Sequence, residues 1–238
     1  MLSIITPVLN GAQFIEKLIQ SVAALNIPYE HIIVDGGSTD ETLEIVSRYP
    51  KIRMLSQQNP AGMYAAIQEG FEAAEGEFIT WINSDDWILT DGYEAMYRLI
   101  ASGKYDLIYG GGSYYYVENA KFENFKAKAC GKFLFLNCVF PCLQPATIYQ
   151  KSIFGAIGGF NSKKFKIVGD IDFFVRFAKA STKPFARLNR TCVVFLKYGE
   201  SLGDRSHQLY LEEKENLPKP KHGRLGHLLA KIIYKIDL

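Results

Sequence analysis

Cysteine is scarce in this chain: four in 238 residues, at positions 130, 138, 142 and 192. No His or Cys pair accompanies Cys138 and Cys142 at zinc-site spacing, so the four read as free, buried thiols of a reducing compartment. Long apolar runs are missing too. The best of them, FLFLNCVF from Phe133 to Phe140, is broken by Asn137 and falls short of the roughly 20 residues that a spanning helix needs. No charge of one sign dominates, since 27 Lys and Arg face 25 Asp and Glu for a net +2, which is too mild for a nucleic-acid surface. The first residues, MLSIITPVL, carry no basic lead-in and no small-residue cleavage site. The expected location is therefore cytoplasmic, with peripheral contact on the inner face of the cell membrane as a variant.

What the chain does have is an alternation of strand and helix signals over its first hundred residues. LSIIT (Leu2 to Thr6), HIIVD (His31 to Asp35), IRML (Ile52 to Leu55) and EFITWIN (Glu77 to Asn83) read as buried strands. Between them, Asn10 with Gln13 and Ser38 with Glu41 supply helix-start signals, and a third helix is expected over 61–74. Such alternation predicts an α/β fold with a Rossmann-like, mostly parallel sheet flanked by helices. Ligands of such sheets bind at the carboxyl ends of the strands. A further helix over 170–179 and a strand TCVVFLKY (Thr191 to Tyr198) complete the body. The expected division is a domain over 1–199 and, over 200–238, a flexible loop followed by an amphipathic C-terminal helix.

Asp35 and the pair Asp85–Asp86, in INSDDW, sit at predicted strand ends. Adjacent carboxylates repel, and burial worsens the cost. Successive side chains of an extended segment point to opposite sides, so the two are expected to do different jobs. One suits a divalent metal, Mg2+ or Mn2+, held jointly with phosphate oxygens; the other suits a ligand hydroxyl. A solvated strand-end turn is the plain alternative for the pair taken alone.

Several segments in order, TPVLNGA, VDGGSTDET, INSDDW, QPATIYQKSIFGAIGGFN and KIVGDIDFFVRFA, resemble the inverting family 2 glycosyltransferases of the GT-A fold. The resemblance runs from residue 2 to about 180. It implies a nucleotide-diphospho-sugar transferase fold in which Thr6, Pro7 and Val8 border the nucleotide base and Asp35 hydrogen-bonds the base or ribose. It further implies that Asp86 coordinates the metal and that Asp85 touches the ribose or a metal-bound water. Gln144 and Thr147 would lie on the acceptor-facing wall. The donor implied is a nucleotide-diphosphate sugar, a UDP-sugar first among them. QQNPAGMYAAIQEGF resembles a donor-side loop and helix, with Asn59 and Gln68 near the positions of family polar residues.

Sugar transfer to a hydroxyl needs a base, and a carboxylate is the usual one. On a helix, Asp170 and Asp172 flank the stripe Ile171, Phe174, Val175 and Ala178 from opposite sides, so they are not expected to face one ligand. The family opens this helix with Glu-Asp, and aligning that pair places Asp170 at the base and Gly169 where the Glu stands. Asp172 is kept as a second acceptor-side candidate. Both aspartates could instead merely complement the helix N-terminus. Trp87 reads as core, and Arg205 and His207 belong to a loop able to reach a diphosphate.

At the end of the chain, Leu225, Leu228, Leu229, Ile232, Ile233 and Ile236 recur at helical spacing with Arg224, Lys231 and Lys235 off that stripe. Membrane contact through 224–238, docking on the body and docking on a second subunit all fit this pattern. The expected activity is metal-dependent, inverting transfer of a sugar to a saccharide or lipid-linked acceptor in surface polysaccharide or glycolipid synthesis. A sugar-phosphate nucleotidyltransferase is the rival enzyme, but the loop after the first strand has no Lys or Arg before Lys17 to hold a triphosphate. A non-catalytic sugar-nucleotide-binding module is the rival outside enzymes.

Overall fold

The computed structural model describes residues 1–57, 62–199 and 206–236. Strand β1 (Leu2–Val8) lies between β2 (Tyr29–Asp35) and β4 (Phe78–Trp81), and β3 (Ile52–Ser56) adds outside β2; all three pairings are parallel. Helices α1 (Ile15–Ala23), α2 (Thr42–Ser47) and α3 (Met63–Ala73) make the crossovers. The register sets Val8 opposite Asp35 and Ile5 opposite Trp81, so the ends of β1, β2 and β4 open on one edge. Beyond β4 the chain forms β5 (Trp87–Ile88), α4 (Thr90–Ala101), β6 (Leu107–Tyr116), β7 (Lys121–Phe125), α5 (Gly131–Leu136), β8 (Thr147–Gln150) and α6 (Lys151–Ala156). Helix α7 (Gly169–Ala180) and strand β9 (Phe185–Lys197) follow. The sheet order is β3-β2-β1-β4-β8-β6-β9-β5, with β7 beside β6. β8 pairs antiparallel with both neighbours, while β6 and β9 run parallel.

Alternation along β1 explains the two cores. Leu2, Ile4 and Val8 pack with Leu18, Val22, Tyr93 and Met96 on one face, whereas Ile5 packs with Ile67, Phe71 and α7 on the other. The second core is an aromatic pile. The Trp81 ring meets Phe160 at 5.2 Å and Phe174 at 5.8 Å, and Phe160 stacks on Phe173 at 4.5 Å. Each such pair adds roughly 0.5–1.5 kcal/mol beyond area burial, so α7 is clamped to the sheet by Phe173, Phe174 and Phe177.

Helix starts differ from the sequence reading. α1 begins at Ile15 rather than at an Asn10 cap, and α2 at Thr42 rather than inside a Ser38–Glu41 box. Asn10, at φ +53°, instead ties two loops: its N–H donates to Ser38 Oγ at 2.8 Å and its Oδ1 accepts from Thr39 N at 2.8 Å. Asp40 accepts the Thr42 N–H at 3.0 Å and Ala12 N at 3.1 Å. Local cap chemistry lost here to bridging between the β1 and β2 loops. The cysteines are free, but only Cys142 and Cys192 are buried, while Cys130 is exposed and Cys138 half-buried.

Ahead of the C-terminal helix, where a flexible loop was expected, the chain is already helical from His207. Helix α8 (His207–Glu215) packs against the start of α7, and α9 (Gly223–Ile236) lies on α5. Arg205 and Asn59 lie outside the described residues, as does the side chain of His207.

Candidate active site

Asp35 ends β2 with 5% of its surface exposed, and its carboxylate accepts N–H bonds from Gly37 at 2.9 Å and Ser38 at 3.1 Å. Thr6, Pro7 and Val8 are all buried in the strand. The Thr6 hydroxyl is engaged by His31 Nε2 at 3.0 Å, so that side chain faces the core and not the open edge. What β1 presents at the edge is the loop after Val8, where Gly11 is needed: a Cβ there would lie 2.6 Å from Val8 Cγ2 and 3.2 Å from Ser84 Oγ. This close approach sets the β1 loop directly beside the INSDDW turn.

The two adjacent aspartates lie in a turn after β4, closed by Asp86 N on Asn83 O at 3.1 Å, rather than in an extended strand, and both engage the end of β9. Asp86 is 1% exposed and turns inward; its Oδ1 accepts the Leu196 N–H at 3.0 Å, and its Oδ2 has no partner among the described residues. Burial pushes its carboxyl well above the usual range, and the neighbouring Asp85 adds to that. Asp85 is only partly buried and accepts the Tyr198 hydroxyl at 3.1 Å. Its pKa is also raised by burial, less strongly. Tyr198 in turn rests on Phe14, ring to ring at 5.2 Å, so the end of β9 covers the β1 loop. Trp87 is half-buried beneath Lys17, whose Nζ sits 3.2 Å from the ring centroid.

A divalent ion needs oxygen ligands, and the partly exposed Asp85 carboxylate meets that need. The Oδ1 of Asn83, two residues earlier, is buried without a partner among the described residues. No group of three His, Cys, Asp or Glu forms a protein-only cage among the described residues. Asp85 and Asn83 thus supply oxygen donors of the kind a divalent ion takes.

Gln57 and Gly62 link this edge to α7. Gln57 N donates to Asp35 O at 2.8 Å and its Nε2 to Gly62 O at 3.2 Å, at the start of α3. One residue into that helix, Tyr64 crosses to α7 and donates its hydroxyl to Ile167 O at 3.0 Å and to Asp170 Oδ1 at 3.3 Å. Asp170 retains partial exposure at the first turn of α7, and also accepts Ile171 N at 2.8 Å. Desolvation pushes its pKa up to about 6, against the lowering effect of those two bonds.

The Tyr64 ring also accounts for Gly169. A Cβ at Gly169 would lie 2.7 Å from the ring, so the place of the family's Glu is filled by an aromatic face from α3.

Asp172 does not join this site. It is 3% exposed, accepts Asn161 Nδ2 at 2.8 Å and Arg176 Nε at 2.9 Å, and pairs with the Arg176 guanidinium at 2.7 Å. Arg176 also donates to the carbonyls of Ile157 and Gly159, so the Asp172 carboxylate is committed to fixing the loop before α7. Thr147, expected on the acceptor wall, is fully buried in β8 with its hydroxyl on Gln144 O at 2.8 Å. Gln144 is partly exposed but donates to Trp81 O at 3.0 Å, so it supports the end of β4. Gln68 holds Phe160 N at 2.8 Å and also serves that loop.

Two residues that sequence reasoning passed over matter here. Tyr64 carried no signal beyond its place at a helix start. Glu213, on α8, is 6% exposed and accepts the N–H groups of Lys166 (2.6 Å), Ile167 (2.9 Å) and Val168 (3.1 Å), the approach to α7. Nothing at 45 or more residues' distance could have announced it.

A curled α/β sheet with carboxylates gathered at its strand ends defines a sugar-nucleotide transferase fold, and comparison agrees. Residues 3–171 match the glycosyl transferase family 2 domain, and the chain belongs to that family. It is 30% identical over 247 residues to a PGL/p-HBAD biosynthesis glycosyltransferase of Mycobacterium tuberculosis, covering 99% of this chain and 90% of the relative. Staphylococcus aureus TarS 1-349, in its complex with UDP, has the same fold at a TM-score of 0.67 and 20% identity, over 93% of this chain and 67% of that one. The mannosyltransferase PcManGT of Pyrobaculum calidifontis, solved with GDP-Man and Mn2+, matches with a TM-score of 0.67 and 15% identity, over 98% of this chain and 69% of that one. The fold is GT-A, and the chain is an enzyme of the glycosyltransferase type.

Proposed function

We propose that this glycosyltransferase is metal-dependent and inverting, and moves a sugar from a nucleotide-diphosphate donor to a hydroxyl of a saccharide or lipid-linked acceptor. The observation that carries the reading is Asp170: a partly exposed carboxylate at the first turn of α7, oriented by Tyr64 and Ile171 N, with a pKa near 6. A base so poised is ionised at neutral pH yet basic enough to take a proton.

Asp170 removes the acceptor hydroxyl proton. The oxygen forms a bond to the anomeric carbon from the face opposite the diphosphate. The carbon–oxygen bond to the leaving group breaks, its electron pair stays on the diphosphate, and the configuration inverts. Asp35 and the β1 loop hold the nucleoside. Asp85, the more exposed of the pair, would hold the ion beside Asp86, whose Oδ1 anchors β9 through Leu196 N and whose Oδ2 is left without a partner among the described residues. An ion held by Asp85 and the diphosphate would offset the negative charge that develops on departure.

The relative's role in PGL/p-HBAD biosynthesis supports a glycolipid acceptor, and the UDP and GDP-Man complexes of the structural neighbours support a nucleotide-sugar donor. The test is release of nucleoside diphosphate from UDP-, GDP- and dTDP-sugars with and without manganese. Metal-dependent release from one donor, reduced at least about 100-fold in Asp85→Ala, is the expected result. Donor binding without release under any metal or acceptor would favour the non-catalytic module instead.

A second expectation concerns pH. The Tyr64 hydroxyl lowers the pKa of Asp170, so its removal raises it. The acid limb of kcat/KM, expected near pH 6 in the parent, should move to higher pH in Tyr64→Phe. A limb that stays in place would separate Tyr64 from the base.

A further inference from the structure

Helix α9 is docked by its small-residue side and leaves its leucine side bare. Gly226 and Ala230 are buried, and a Cβ on Gly226 would lie 2.6 Å from Asn137 Oδ1. His227 Nδ1 lies 2.6 Å from the Asn137 carbonyl, and His222 stacks on Phe133 at 5.5 Å. Lys221 N donates to Leu136 O at 2.9 Å, and Lys128 Nζ lies 5.3 Å from the Tyr234 ring. Body docking therefore takes only one side of the helix.

The opposite side carries Leu225, Leu228, Leu229, Ile232 and Ile236, each 45–78% exposed. At about 100° per residue they share an arc of roughly 100°. A contiguous apolar face of this kind is unlike the scattered single leucines of ordinary surfaces. Arg224, Lys231 and Lys235 are also exposed and line one flank of it. Five of the chain's Lys and Arg and none of its Asp and Glu fall within residues 217–236. No described helix is long and apolar enough to cross a membrane.

We propose that the outer face of α9 is a docking surface for an anionic lipid bilayer, on which the helix lies in the plane of the interface. An apolar stripe with a cationic border and no carboxylate among its described residues is complementary to acyl chains beneath negative headgroups. A second copy of this chain would bring the same cations against one another, which disfavours a self-complementary contact. The inference does not depend on the transfer chemistry, since none of these residues belongs to the site.

The test is cosedimentation of the full chain with vesicles of phosphatidylcholine alone or with phosphatidylglycerol added. The parent should bind the anionic vesicles, and less so at high salt. L228E/L229E/I232E should lose that binding, and K231Q/K235Q should weaken it by about thirtyfold. Both variants should keep the parent's melting temperature and donor turnover, because every altered side chain is exposed. Failure of the parent to bind anionic vesicles would overturn the proposal. So would binding that survives in the triple variant, or a parent dimer that this variant converts to monomer without change in vesicle binding.

Discussion

Asp170→Asn should lower kcat by about 10²–10⁴-fold, the usual contribution of a positioned general base, while leaving donor affinity unchanged. Asparagine keeps an oxygen for Tyr64 Oη and Ile171 N, so the helix start survives and only the basicity is lost. Calorimetric titration of donor beside the transfer assay separates the two effects. Asp172→Asn is the control. Its carboxylate is committed to Asn161 and Arg176, and removing charge from that buried pair should cost about 3 kcal/mol of stability. Unfolding should shift far more than kcat. If Asp172→Asn instead lost turnover at unchanged stability, the base would have to be reassigned.

Glu213→Ala should destabilise the protein by about 3 kcal/mol and reduce turnover together. One carboxylate receives three successive backbone N–H groups, and the Val168 N–H among them is buried. Leaving a buried donor without a partner costs roughly 1–3 kcal/mol, and the two less buried ones recover part of theirs from water. The same loop carries Ile167 O, which Tyr64 uses, and leads straight into Asp170. Denaturant unfolding and kcat, measured on the same preparation, should therefore move in parallel. A variant that unfolds like the parent would show that α8 is not part of the scaffold of α7.

The parallel half of the sheet was legible because burial and period coincide there: β1, β2 and β4 fall on LSIIT, HIIVD and EFITWIN. The carboxylates at strand ends were legible for the same reason. Their directions were not. Alternation along an extended strand was expected to separate Asp85 from Asp86, but the pair sits in a turn, and only the pairing of Asp86 with Leu196 N, from a strand 110 residues later, says which is buried. That Thr147 and Asp172 are buried and engaged was not legible, because local spacing cannot see Gln144 O or Arg176 closing over them. The missing Glu at Gly169 looked like a loss in sequence; in the fold it is the room that Tyr64 occupies. Long β9, running from Phe185 to Lys197, was seen only in its apolar second half, because FARLNR lacks a continuous buried face.

The configuration of the sugar at first release tests the single-displacement claim most directly. Water can replace an absent acceptor, so the purified enzyme can be given its donor and manganese, and the anomer formed can be followed by proton NMR before mutarotation. With Asp170 as the only base and no covalent intermediate, the released sugar has the anomeric configuration opposite to the donor's. Release with the donor's own configuration would contradict the mechanism and require a nucleophile that this site does not assign.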